Sequence, residues 1–189
     1  MSNKREALMD AQQLFEKHAP MVYNLALRLS GNAADAQDIA QDAFIKAMKG
    51  LAGLRDEAFA GTWLYRITVN VWKNRVRAEK RRAFWKTFSL DWGKDNGDEP
   101  PALQVAAVEP GPGEALEKAD EKQALEQALA ALEPEDRAIL LLRETDGRSY
   151  EEIAGIMELQ LGTVKSRISR AREALRQRMT ALLKEDGTR

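Results

Sequence analysis

The sequence predicts an all-α protein built as two small helical domains joined by a flexible linker. Apolar residues recur at three- and four-residue spacing along most of the chain, and no stretch of useful length alternates in the manner of a strand. The periodicity lapses once, between about residues 84 and 112, where Pro100-Pro101 and Pro110-Gly111-Pro112-Gly113 punctuate the chain. The first domain is therefore expected over 1–83, the linker over 84–112 and the second domain over 113–185. A length of 189 residues leaves room for two modest cores and none for a large catalytic barrel.

In the first domain, Leu14, Val22, Leu25 and Leu29 share one helical face, and Ser30-Gly31-Asn32 supplies a stop and a turn. A second helix follows with Ile39, Ala43, Ala47 and Leu51 on its inner face. The stretch from Gly50 to Gly61, with a further glycine at Gly53 and mixed charges, reads as a loop or broken turn. A third helix begins near Thr62 and places Trp63, Leu64, Ile67 and Val71 on an apolar stripe.

Beyond the linker, Leu116, Ala119, Leu125, Leu129 and Leu132 mark a fourth helix. Glu133-Pro134-Glu135 opens a fifth, with proline in the first turn, where its missing N–H costs little. Asp146-Gly147 then stops the chain, and Ser149 with Glu152 three residues later forms a capping box worth about 1 kcal/mol. The short helix that follows turns Ile153, Ala154 and Met157 inward. After a turn near Glu158 to Gly162, a last helix carries Val164, Ile168, Ala171 and Leu175 as its buried stripe.

Composition narrows the functional classes. The absence of cysteine removes disulfides, thiolate metal sites and cysteine nucleophiles, and fits a reducing, cytoplasmic location. The one histidine, His18, lies in a polar stretch and reads as a solvated side chain, not a catalytic one. Charges are scattered through the first twenty residues, so these are neither a signal peptide nor a membrane anchor. No catalytic residue, metal ligand or cofactor is expected.

The net charge is −1, from 29 Lys and Arg against 30 Asp and Glu, which taken whole argues against nucleic acid. Resolved along the chain it does not. Arg66, Lys73, Arg75, Arg77, Lys80, Arg81 and Arg82 cluster on the third helix, and Lys165, Arg167, Arg170, Arg172, Arg176 and Arg178 on the last. Acids from Asp95 to Glu121 offset them.

A short helix, a tight turn and a basic second helix with Lys165, Ser166, Ser169 and Arg170 near its start suit major-groove readout. On the third helix, cations interleave with Trp63, Trp72, Trp85 and Trp92, an arrangement that suits unstacked bases. Asn70 and Asn74 add amides able to pair with a base edge. Trp63 falls on the apolar stripe and reads as core, whereas Trp72 lies off it and is the better stacking candidate. Asp35, Asp38, Gln41 and Asp42 share one face of the second helix. With no histidine or second acidic helix beside them, they suit docking of another protein better than metal binding.

Three segments, Ala34 to Phe44, Thr62 to Asn70 and Gly162 to Arg172, resemble the hallmark segments of the extracytoplasmic-function (group 4) sigma factors of bacterial RNA polymerase. The run from Asn70 to Asn74, with Lys73, is most similar to the sigma-E-like envelope-stress branch. The resemblance implies that Asp35, Asp38, Gln41 and Asp42 dock on the clamp of the polymerase's largest subunit, while the second domain meets its flap. It implies that Ile67, Asn70, Lys73, Asn74 and Arg77 melt and read the minus-ten promoter element, with the preceding loop capturing a flipped base. Leu54 stands in that loop where the family often has an aromatic.

The expected minus-ten surface is thus Leu54, Trp63, Arg66, Ile67, Asn70, Trp72, Lys73, Asn74 and Arg77. Arg143 matches a phosphate contact, and with Lys165, Ser166, Arg167, Ser169 and Arg170 it makes up the minus-thirty-five surface. The implied partners are core polymerase, promoter DNA and a cognate anti-sigma factor, often membrane-bound in similar proteins, with no membrane insertion by this chain. The expectation is a non-enzymatic promoter-specificity factor of a stress regulon. The alternative is a free-standing helix-turn-helix regulator, which leaves the acidic face and the aromatic basic helix unexplained.

Overall fold

The computed structural model describes residues 2–54, 56–90 and 114–186; side chains are described for residues 12–51, 53–54, 56, 58–83 and 122–184. The described residues are helical throughout, with short turns between helices and no strand among them. The chain divides into two compact units, 1–104 and 105–189, and each is described by itself.

The first unit packs three helices pairwise: α1 (Ser2–Ser30), α2 (Ala33–Gly50) and α3 (Ala60–Leu90). Leu14, Val22, Leu25 and Leu29 of α1 are all buried, as their spacing predicts, together with Ala26. They meet Ile39, Ala43 and Ala47 of α2, whose small side chains let the helices approach closely. The Phe15 and Phe44 rings add a tilted pair 5.2 Å apart between α1 and α2.

α1 stops at Gly31, whose φ of 83° suits glycine, and whose N–H donates to Leu27 O at 2.8 Å. Asn32 then caps α2: the Asp35 N–H donates to Asn32 Oδ1 at 2.8 Å, and Asn32 Nδ2 donates back to Asp35 Oδ2 at 2.6 Å. The expected loop between α2 and α3 consists of two 3₁₀ turns, Leu51–Gly53 and Glu57–Phe59.

α3 departs from the sequence reading in phase and in length. Among its described residues the buried side chains are Ala60, Leu64, Tyr65, Thr68, Val69, Val71 and Trp72, while Trp63 and Ile67 are only half-buried. Thr68 donates its hydroxyl to Leu64 O at 2.8 Å, so its burial leaves no unmet hydroxyl proton. The helix also continues to Leu90, past the expected domain end at 83. The rest of the expected linker, with its acids from Asp95 to Glu109, lies outside the described residues, as do the side chains of Trp85, Trp92, Leu116 and Ala119.

The second unit comprises α4 (Glu114–Ala130), α5 (Pro134–Leu140), α6 (Tyr150–Met157) and α7 (Leu161–Asp186), with α4, α5 and α6 all packed on α7. Leu132, Leu140 and Ala171 form one buried cluster, extended by Leu129, Ala174 and Leu175. Leu125, one of the residues that mark α4, is exposed, whereas Ala124 and Ala128 are buried. α5 ends in a π-helical turn, Leu141–Thr145, in which the Asp146 N–H reaches back to Leu141 O at 3.1 Å.

Candidate nucleic-acid and polymerase-docking surfaces

The helix-turn-helix forms as the sequence implies. Both capping-box bonds are present: the Glu152 N–H donates to Ser149 Oγ at 3.1 Å, and the Ser149 N–H donates to Glu152 Oε2 at 2.8 Å. The Ser149 N–H first, and the Arg148 guanidinium donating to Oε1 at 2.8 Å second, hold the Glu152 carboxyl below the usual range. The turn between α6 and α7 pivots on Glu158, which adopts the left-handed region at φ 55° and donates its N–H to Ala154 O. α6 packs on α7 and buries Ile153, Ile156 and Met157, as α7 buries Val164 and Ile168, whereas Ala154 is only half-buried.

That packing turns Lys165, Ser166, Ser169 and Arg170 outward together at the start of α7, as a reading face requires. Arg167, also expected on that face, is engaged inside the unit. It is half-buried and lies 2.8 Å from Glu135 Oε2 and 3.3 Å from Asp136 Oδ1, so its charge joins α7 to the start of α5. Arg143 is also engaged within the unit. Its Nη1 donates to Arg148 O at 2.8 Å, and its guanidinium lies 4.8 Å from the centre of the Tyr150 ring. Arg172 pairs with Glu144, which holds its pKa above the ordinary value.

In the first unit α3 has two faces. The inner face holds Leu64, Thr68, Val71 and Trp72. Opposite lies a stripe of Trp63, Arg66, Asn70, Lys73, Asn74 and Arg77, with Asn70, Asn74 and Arg77 exposed and the others half-buried. Trp72 is the correction here: at 4% exposure it belongs to the core and offers no face to a base. Trp63, read as core, instead sits half-buried at the N-terminal end of the stripe, next to Gly50 at the end of α2.

In the turn before α3, Leu54 is half-buried and donates its N–H to Leu51 O at 3.0 Å, and Asp56 accepts the Ala58 N–H at 2.8 Å. Phe59, which the sequence reading passed over, is the most exposed large apolar side chain described, at 66%. Its signal in the sequence is an aromatic standing directly before the apolar stripe of α3 and outside it.

Asp38, Gln41 and Asp42 point outward from α2, and Asp35 is half-buried by its capping role. Asp38, Gln41 and Asp42 border an open groove of about 470 Å³ between α2 and α3, whose other wall includes Asn74, Arg75 and Arg82. Arg75 crosses the groove to Asp38 at 2.8 Å and Asp35 at 3.5 Å. Among the described residues no three acidic or histidine side chains converge as a metal-binding group, and no helix is long and apolar enough to cross a membrane.

Two family models match the chain: Sigma-70 region 2 over residues 14–82 and Sigma-70, region 4 over residues 122–175. They fall on the α1–α3 unit and on the helix-turn-helix unit, and define the class as sigma-70-type. An ECF RNA polymerase sigma factor, SigE, of Mycolicibacterium smegmatis is 37% identical over 170 residues, 90% of this chain and 62% of that protein, so the chain spans about three fifths of its length. The RNA polymerase sigma-H factor of Pseudomonas aeruginosa is 36% identical, with 89% of this chain and 86% of that one covered. The ECF RNA polymerase sigma-E factor of Escherichia coli is 34% identical, with 80% and 78% covered.

The fold is also that of a sigma factor, RpoE, solved with the anti-sigma factor NepR from Bartonella quintana. The TM-score is 0.60 at 24% identity, covering 90% of this chain and 97% of that one. The chain belongs to the extracytoplasmic-function sigma factors of bacterial RNA polymerase.

Proposed function

We propose that this chain binds core RNA polymerase and directs it to a specific set of promoters, with the polymerase performing all the chemistry. The observation that carries the reading is the opposition of faces on α3. One side is packed into the unit, and the other presents asparagine amides and cations in a row, beginning at a half-buried tryptophan. Such a row can compensate for strand opening by holding unstacked bases and their phosphates.

In this reading Arg66, Ile67, Asn70, Lys73, Asn74 and Arg77, with Trp63 and Leu54 at the upstream end, form the minus-ten surface. Lys165, Ser166, Ser169 and Arg170 read the minus-thirty-five element as duplex, and Arg143 adds a phosphate contact through the donors that Arg148 O leaves available. Asp35, Asp38, Gln41 and Asp42 dock on the polymerase clamp, and the second unit meets its flap.

A cytoplasmic location follows from that partner. Control by an anti-sigma factor, membrane-bound in one form, also belongs to the proposal. It is supported by the solved sigma factor RpoE of this fold, which was captured with the anti-sigma factor NepR. Run-off transcription with core polymerase on a library of genomic fragments tests the reading. Promoter-dependent products are expected only when the chain is added. No such product, or tight duplex binding that needs no polymerase, would overturn it in favour of a free-standing regulator.

A further inference from the structure

We propose that Arg75 is a built-in counter-ion of the α2 docking face, a positioning residue that a cationic surface of the polymerase must displace from Asp38 in order to dock. The inference rests on the docking role proposed above for Asp35, Asp38, Gln41 and Asp42.

Arg75 Nη2 lies 2.8 Å from Asp38 Oδ2 and 3.5 Å from Asp35 Oδ1, and its Nε lies 3.9 Å from Glu79 Oε1. One cation of α3 is therefore shared among three carboxylates, two of which belong to the docking face. The Asp38 hydrogen bond is the main cause that raises the Arg75 pKa, so the guanidinium is charged at every working pH.

The two partners are unequally exposed. The Asp38 side chain is 58% exposed and the Arg75 side chain 31%, so the carboxylate faces outward while the cation is set back against the groove wall. An external cation can reach Asp38, but while Arg75 is paired it meets a carboxylate already largely neutralised and a like charge a few ångströms behind it.

A half-exposed pair of this kind is weak enough to be exchanged. The arrangement therefore sets a threshold. A diffusely basic surface gains little from the face, whereas a partner that presents a cation in the right place takes over Asp38 and leaves Arg75 to Asp35 and Glu79. That is discrimination by an element that works against weak partners.

The test is a double-mutant cycle on the full chain, read as affinity for core polymerase at low and moderate salt, with a melting curve for each variant. Arg75→Gln is expected to tighten core binding about two- to fivefold at low salt, with the gain shrinking as salt rises. In an Asp38→Asn background the same substitution should give no gain. A merely structural role for Arg75 would not produce that dependence on Asp38.

Arg75→Lys keeps the charge without the planar fork and should give a smaller gain. It carries the test if Arg75→Gln melts early. Unchanged or weaker core binding by these variants, or an equal gain in both backgrounds, overturns the inference. No binding by the wild-type chain would overturn the docking reading itself, whereas wild-type binding without an Asp38-dependent gain overturns only the role of Arg75.

Discussion

Arg167 lies 2.8 Å from Glu135, so a basic residue in the second turn of the recognition helix is bonded to the start of α5 inside its own unit. Its neighbours Lys165, Ser166, Ser169 and Arg170 are turned to solvent. The two kinds of cation should separate by experiment. Arg167→Ala is expected to lower stability by about 1 kcal/mol, since both partners are largely shielded, while leaving the salt slope of promoter binding unchanged. Lys165→Ala should leave the melting curve alone and reduce that slope by about one unit. Paired thermal melts and salt-dependent promoter titrations with holoenzyme decide it, and the reverse pattern would return Arg167 to the DNA surface.

Trp72→Ala should behave as a core deletion. With the ring buried among the helices of the first unit, the loss is expected at about 3–5 kcal/mol. Trp63→Ala should cost far less stability and instead impair promoter opening, followed as permanganate reactivity of the minus-ten region. A stable Trp72→Ala protein with a specific opening defect would contradict the assignment.

Acid should remove the capping box. The Glu152 carboxyl is held below its ordinary value of 4.5, so its stabilisation is complete above that value and is lost as pH falls through the lowered one. The difference in melting temperature between wild type and Glu152→Ala is expected to be constant near neutrality and to shrink well below pH 4.5. A gap that widened on acidification would refute the sign.

Glu158→Gly should raise stability by about 0.5–1 kcal/mol, because the α6–α7 turn holds a side chain at φ 55° where glycine is unstrained. Urea denaturation of the full chain measures it. A loss of stability would show that the glutamate side chain offsets the strain of its backbone.

What could be read from the sequence was local. The Ser149–Glu152 box spans three positions and the stripe Val164, Ile168, Ala171 lies on one helix, so spacing alone specifies them, and both are found as expected. α3 was misread because apolar residues stand at Trp63, Leu64, Tyr65, Ile67, Val69, Val71 and Trp72, nearly all round the helix. Only the positions of α1 and α2 decide which of them go inside, and they choose Trp72 over Trp63.

Arg75 and Arg167 make ion pairs that spacing does not reveal, for a related reason. Their partners stand 37 and 31 positions away, at distances that no periodicity encodes. Asp35, read as a docking acid, also closes the cap of α2 with Asn32, a local role that its place on the acidic face does not reveal.

A β-carbon at Gly50 would sit 3.2 Å from Trp63 Cζ2, tighter than most such contacts, so the missing side chain at the end of α2 leaves room for the indole in the first turn of α3. Any larger residue at Gly50 would have to push the Trp63 ring aside, so the glycine that ends α2 sets where the indole at the head of the α3 stripe can lie.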